Sequence, residues 1–404
     1  VNAPVNSPVN SSSPSHFRFA VVLAMTTALG PLAIDTYLPA FPAIAESLGS
    51  TVHAVSLSIA VYIGALAIGQ LVAGPLSDRC GRQQVMLVGL GIFAFASLML
   101  TQVASVWELL LLRALQAFGG GWAIVGVPAL VRDRLSGQEA ARFFSLIGLI
   151  MMAAPALAPS LGTLLLELLG WRSIFAMLGV YALMQMVMLR LVVFKGGAEV
   201  PTGEPVPALR RYLQVLAVPQ ALRFLLLQSL AFSVMLLFIS HASFIYQEHF
   251  GASPTQFSML FGSNIVLMLV INLINRWLLK SVTSVVVLRA ALSMQAAGIV
   301  LLILVLVFAP SLWLFLPAMM ITVGALGGVG SNTQACFMEY FPQNAGTAAA
   351  LMGAGQFAIA GGIAALSSLL PASVLYIVLA QGACSVLCLL LIWTVKSDPH
   401  AHQS

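Results

Sequence analysis

Apolar residues in this chain come in long runs broken by short polar clusters. An apolar helix needs about 20 residues to cross a bilayer. Segmenting the chain at Gly, Pro and charge clusters predicts twelve such helices, near 18–45, 53–76, 83–103, 107–130, 140–168, 172–194, 221–247, 255–279, 284–308, 312–339, 346–369 and 373–395. The longest polar interruption is Lys195–Gln220, which holds Lys195, Glu199, Glu204, Arg210, Arg211, Pro201, Pro205 and Pro207. It divides the pattern into six spans and six spans, the mark of membrane folds built from two repeats. The expected organisation is a tail over 1–17, a six-helix half over 18–194, a linker over 195–220, a second half over 221–395 and a tail over 396–404. The start, Val1–Pro14, is rich in Pro, Ser and Asn and reads as disordered. It lacks the basic region and cleavage site of a secretory signal, so the first apolar run is expected to stay as a span.

Composition turns this pattern into a class. The chain is 60% hydrophobic and 7% charged, with a mean hydropathy of +1.02. Soluble domains carry roughly 25% charged residues, so the expected fold is an all-α polytopic membrane protein. Charge then orients it. With the amino terminus inside, Arg18, Arg79, Arg82, Arg132, Arg134, Arg142, Arg190, Lys195, Arg210, Arg211, Arg223, Arg276, Lys280, Arg289 and Lys396 all face the cytoplasm, and only Arg172 faces out. The net charge of +5 is explained by these scattered loops, and no nucleic-acid partner is implied. The cysteines form no framework: Cys80 and Cys336 fall at cytoplasmic ends, while Cys384 and Cys388 are i, i+4 on one apolar helix and read as small core residues. The histidines, at 16, 53, 241, 249, 400 and 402, have no metal-ligand spacing, and no phosphate-binding loop is present. No metal, cofactor or ATP chemistry is expected.

Two charges stand inside the apolar runs. Asp35 is the only acid placed at lipid depth, where a carboxylate costs roughly 2.5–3.5 kcal/mol on insertion scales. Arg113 lies in the fourth span and needs an anion or water. Asp35 is the available intramembrane anion; alternatively Arg113 snorkels outward toward Glu108. Asp35 either serves a function or simply pairs with Arg113 to hold two helices.

The turn after the second span reads Gly74-Pro-Leu-Ser-Asp78-Arg79-Cys-Gly81-Arg82-Gln83. It resembles the signature of the major facilitator superfamily, with Gln83 in place of a final basic residue. Gly74 would let helices approach, Gly81 would allow a tight turn, Asp78 would meet a helix amino terminus, and Arg79 and Arg82 would anchor the inner face. In that family the motif latches the two halves. Span 4, Arg113-Ala-Leu-Gln116-Ala117-Phe-Gly119, resembles a second family pattern, with Ala117 where glycine is usual. Span 5 carries Ala154-Pro155, Ala158-Pro159 and Gly162, a degenerate form of a drug-antiporter motif, and its two prolines are expected to bend the helix. With Asp35-x-Tyr37-Leu38-Pro39-Ala40-x-Pro42, Arg132-Asp133, and Glu339 to Ala348 around Pro342, the chain resembles Bcr/CflA-type drug/proton antiporters from about 18 to 395. The second half has no good copy of the latch.

The resemblance implies a twelve-helix major facilitator fold, two six-helix halves around a central cavity, in a bacterial inner membrane with both termini cytoplasmic. It places Tyr37, Tyr62, Gln70, Gln116, Trp122, Met151, Phe232, Met235, Phe238, His241, Phe244, Tyr246, Phe261, Asn264, Asn332, Gln334 and Gln356 on cavity helices. That apolar, aromatic surface with scattered amides suits bulky, weakly polar guests. His241 also reads as a satisfied polar residue. The expected activity is exchange of protons for a small-molecule drug, with Asp35 as the proton site: burial disfavours its charge and Arg113 favours it. The expected particle is a monomer in the lipid bilayer. An exporter of an endogenous metabolite or siderophore would share these features, and an importer or a non-transporting receptor fits them less well.

Overall fold

Every apolar run forms a helix in the computed structural model, which describes residues 14–127, 130–131, 137–195, 213–341 and 345–394, with side chains at all of these except 14–17, 78–79, 137–149, 151–152, 345–347 and 349–350. The main helices are α1 (Pro14–Asp35), α2 (Val52–Cys80), α3 (Arg82–Leu100), α4 (Val106–Val125), α5 (Gly137–Leu169), α6 (Arg172–Met188), α7 (Pro219–Ser243), α8 (Pro254–Leu278), α9 (Ser284–Phe308), α10 (Leu312–Gly324), α11 (Ala345–Ser367) and α12 (Val374–Trp393). Among the described residues, ten helical segments are long and apolar enough to cross a membrane, and α5 and α11 supply two shorter apolar stretches, Ala153–Leu169 and Leu351–Ser367. Local chemistry sets several starts. Thr51 caps α2, Ser105 caps α4, and Ser253 with Gln256 forms a capping box at α8. Trp107 and Trp313 at one end of the bundle, and Trp277 and Trp393 at the other, are exposed near helix ends, as interfacial tryptophans are.

The two halves pack alike. In the first, α1 meets α5, α2 meets α4, and α3 meets both α4 and α6; in the second, α7 meets α11, α8 meets α10, and α9 meets both α10 and α12. The seam between halves is made by α2 with α11 and by α5 with α8. Exchanging each helix for its counterpart six places on exchanges these two contacts, so the halves are related as two repeats about a pseudo-two-fold axis. Tight crossings use glycine: a Cβ at Gly89 would collide with Gly119 and Trp122, bringing α3 onto α4.

Three elements differ from the sequence reading. The first span is broken rather than continuous: α1 ends at Asp35, a turn of 3-10 helix follows over Leu38–Ala40, and a short helix runs from Phe41 to Ser47. Proline explains the break, because Pro39 has no N–H for the Asp35 carbonyl and its ring crowds that carbonyl. The latch is helical up to Cys80, and the connection to α3 is the single residue Gly81 at φ +87°. Finally, α1 starts at Pro14, inside the predicted tail. The tail 1–13, Arg132, Asp133, Arg134, Pro342, most of the linker (196–212) and the final tail lie outside the described residues.

Candidate functional site

Arg113 is fully buried and ranks with the largest such side chains among the described residues. α4 carries it inward, and it is held on three sides. Its Nη1 donates to Gln116 Oε1 one turn along. Gln116 Nε2 donates to Ser97 Oγ of α3 at 2.7 Å, and Ser97 donates to the Phe93 carbonyl at 2.6 Å. The guanidinium carbon lies 4.3 Å from the Tyr37 ring centroid and 4.2 Å from that of Tyr62, a sandwich of two cation–π contacts. Tyr37 Oη bonds Ser58 Oγ at 2.8 Å, whereas Tyr62 Oη has no partner. Arg113 Nε and Nη2 also have none.

Asp35 is buried at the break in α1, and its Oδ1 is unpartnered. The expected ion pair with Arg113 is not formed: no contact within 4 Å joins the two charges among the described residues. Two aromatic rings occupy the faces of the guanidinium, and Gln116 takes one of its donors. The alternative of snorkelling toward Glu108 is also not realised, since Glu108 Oε2 accepts the Ala104 N–H at 2.8 Å and Arg113 stays buried. Gln116 therefore holds Arg113, and its amide bridges the guanidinium to Ser97 of α3.

The break in α1 is itself gripped by α5. The Ala40 N–H bonds the Tyr37 carbonyl, which releases the Thr36 carbonyl from the helix pattern. Gly162 lies against that carbonyl so closely that a Cβ there would overlap it. Pro155 and Pro159 lie inside α5 on the same approach.

Hydrogen bonds across the seam cluster at the end opposite the chain termini. Thr163 Oγ1 meets the Pro254 carbonyl at 3.2 Å and Ser258 Oγ at 2.8 Å. Thr255 Oγ1 donates to Glu167 Oε1 at 2.9 Å, Gln247 Nε2 donates to the Leu38 carbonyl at 3.4 Å, and His53 Nε2 donates to the Ser368 carbonyl at 3.0 Å. Toward the termini, a Cβ at Gly74 of α2 or Gly353 of α11 would meet no heavy atom of the described residues within 4 Å. The core around Phe224, Phe337, Phe341 and Cys388 is a cluster separate from the one shared by both halves. Gly81 is the turn glycine it was expected to be. Arg82 is half-buried, and the Asp78, Arg79 and Met151 side chains lie outside the description.

Other predicted cavity residues divide by environment. Phe238, Phe261 and Tyr246 form a buried aromatic block with Phe257 and Phe315, Phe238 stacking on Phe261 at 5.6 Å. Asn264 is drawn into it, donating to Tyr246 Oη at 3.3 Å and to the Leu260 carbonyl at 2.8 Å. Asn332, on the helix Gly330–Met338 that follows α10 and a 3-10 turn over Ala325–Gly328, donates to Asn275 Oδ1 of α8 at 2.7 Å. Trp122 packs beside Phe118 where α4 meets α3. Phe244 is buried, Met235 is half-buried, and Phe232 is half-buried edge-on to Phe357. His241 stacks on His53. Gln356 does line an opening, a cleft of about 160 Å³ between α7, the helix Gly330–Met338 and α11, bordered by Gln228, Gly330, Gln334, Met352, Gly353 and Gln356. Gln228 Nε2 donates to Gln356 Oε1 at 2.9 Å, leaving Gln228 Oε1 buried and free. Gln228 and Ser97 were missed in the sequence: each is a lone polar residue on an apolar helix, and only the neighbouring helix gives it a role.

Comparison with known proteins agrees with this architecture. The Major Facilitator Superfamily model matches residues 23–365. A bicyclomycin resistance protein homolog of Haemophilus influenzae is 28% identical over 387 residues, 95% of this chain and 97% of that one. A chloramphenicol resistance protein of Pseudomonas aeruginosa is 40% identical over 152 residues, 37% of this chain and 36% of that one. Among solved structures, a D-xylose–proton symporter superposes with a TM-score of 0.77 at 15% identity, covering 95% of this chain and 98% of that one.

Proposed function

Because the chain belongs to the major facilitator superfamily, in the branch whose members are named for drug resistance, we propose that it is a secondary active exporter of the bacterial inner membrane, exchanging protons for hydrophobic or weakly polar drugs. The observation that carries this reading is the pair of buried charges left apart in one half. Asp35 and Arg113 both hold unfilled hydrogen-bonding capacity, and Asp35 stands at a helix break that α5 grips. An unpaired carboxylate in a low-dielectric interior is penalised by several kcal/mol. Loading or unloading a proton there changes the energy of whichever arrangement buries it.

The seam supports alternation. Among the described residues its hydrogen bonds lie at one end, and open space borders Gly74 and Gly353 toward the other. With the basic residues of the termini-bearing end in the cytoplasm, this arrangement faces inward. Drug enters from the cytoplasm, meets the apolar and aromatic surfaces of α7 and α11, and finds hydrogen bonds at the Gln228, Gln334 and Gln356 amides. Rocking of the halves then exposes it outside, where it leaves as a proton arrives at Asp35. One inward charge across 100 mV supplies about 2.3 kcal/mol, and one unit of pH difference adds about 1.4.

In proteoliposomes with an imposed pH gradient, Asp35→Asn is expected to abolish gradient-driven drug movement while leaving drug binding measurable. Pumping by the variant at the wild-type rate would refute the assignment. The amide cleft also favours a second reading, export of a polar endogenous metabolite. A drug-susceptibility panel on cells expressing the chain, with and without a protonophore, separates the two: no change in any susceptibility selects the metabolite.

A further inference from the structure

His53 and His241 come from different halves and meet at the sealed end of the seam. Their ring centroids are 5.7 Å apart and the rings are nearly parallel, at 22°. The last turn of α11 and the residue after it hold both. The Ser368 carbonyl can only accept, so His53 carries its proton on Nε2. Ser367 Oγ donates its one hydrogen to the Ala364 carbonyl at 2.7 Å, so it accepts from His241 Nε2 at 2.9 Å. This assignment leaves no ring N–H without an acceptor. It also leaves Nδ1 of each ring buried with no partner.

A proton added to either Nδ1 would be a charged donor with no acceptor, and protons on both rings would set two like charges face to face. Parting the halves would remove the stack and open both nitrogens to water. The surrounding elements offer no counter-charge bonded to either ring. At this end Glu46 on the short helix Phe41–Ser47, Glu108 on α4, and Glu248 and His249 beyond α7 are all exposed. None has a hydrogen bond to an imidazole among the described residues, α11 carries no ionisable side chain, and Asp35 and Arg113 are not bonded to the pair.

We propose that His53 and His241 form a second proton-binding site, which seals the outer end of the seam when empty and releases it when loaded. The site rests on the reading of this chain as an alternating carrier but not on Asp35 as its proton carrier. Its chemistry gives a direction. Imidazoles change charge between about pH 5 and pH 8, so acid on the outer side favours outward opening, the step in which an exporter delivers its load.

The test uses the full chain in lipid nanodiscs with Cys80 replaced by serine and spin labels at Ser47→Cys and Ala372→Cys, both exposed and on opposite sides of the seal. The expected result is a short inter-label distance at pH 8 that gives way to a longer one as pH falls to 5. The double variant His53→Phe/His241→Phe keeps a stack without protons and should lose that transition, while Asp35→Asn should keep it. A distance that responds to drug but not to pH overturns the histidine site alone, as does a pH response that survives in the double variant. A distance that responds to neither overturns both this site and alternation. Wild-type protein with ¹⁵N-labelled histidine needs no substitution in the pair. Two neutral rings protonated at Nε2 are expected at pH 8, becoming doubly protonated as the end opens, and rings that stay neutral through opening would overturn the proposal.

Discussion

Replacing Gln116 by leucine tests whether that side chain holds Arg113 or meets the transported solute. Leucine is apolar and of similar size, so the loss is of hydrogen bonds rather than of volume. Two are removed: one accepted from the guanidinium and one donated to Ser97 Oγ at 2.7 Å. A bond to a charged group contributes about 1.5–3 kcal/mol and a neutral one about 1. Arg113 Nε and Nη2 already lack partners, so Nη1 would join them and the whole guanidinium would stand without an acceptor. The loss should therefore fall near 2.5–4 kcal/mol, taking both figures together, or roughly 10²–10³ in the folded-to-unfolded ratio. The two tyrosine faces remain, each contributing up to about 2 kcal/mol when desolvated, so the variant should still fold. Denaturant unfolding in detergent micelles measures the loss, and drug titration by tryptophan fluorescence measures the other arm. Ser97→Ala should lose about 1 kcal/mol in the same direction. Full stability in Gln116→Leu, accompanied by at least tenfold weaker drug binding, would refute the assignment and make Gln116 a ligand contact.

Other outcomes follow from the same contacts. Gly162→Ala places a methyl on the Thr36 carbonyl, and since backbone must move, a loss of about 1–3 kcal/mol with reduced transport is expected. Gly74→Ala, with open space around it, should change stability by less than about 0.5 kcal/mol; equal melting temperatures for the two variants would contradict this. Tyr62→Phe removes an orphaned hydroxyl and should be neutral or stabilising. Tyr62→Leu removes a ring from Arg113 and should cost up to about 2 kcal/mol, so Phe and Leu variants of equal stability would dismiss the sandwich.

The helices were legible because each apolar run is near bilayer length and closes on glycine, proline or charge. The likeness of the halves was legible only in the six-and-six count; their shared packing map needed coordinates, since the second half has no latch copy. The site was less readable. The run 31–42 was read as part of one continuous span over 18–45, and nothing in it showed the helix ending at Asp35 itself. Arg113 and Asp35 were found because charge at lipid depth is rare, but their separation depends on Tyr37 and Tyr62 filling the guanidinium faces. Gln116 lies one turn from Arg113 on α4, and a single helix does not tell whether an amide turns to a cavity or to the next helix. Phe238 and Phe261, here stacked in a buried block, carry the same ambiguity, because aromatic spacing is identical for a lining and for a core.

Gly81 joins α2 and α3 through one residue. Such a hinge has almost no slack. α2 belongs to the seam, while α3 turns Val88, Phe95, Leu98 and Met99 outward to the lipid. The two helices are therefore tied at one end, the 29-residue α2 in the seam and the 19-residue α3 against the lipid. Tilting the seam tilts hydrophobic length against acyl chains, at fractions of a kcal/mol per ångström of mismatch. For the proposed rocking of the halves, bilayer thickness is then a coordinate of the motion, set by the surrounding lipids and not by the chain.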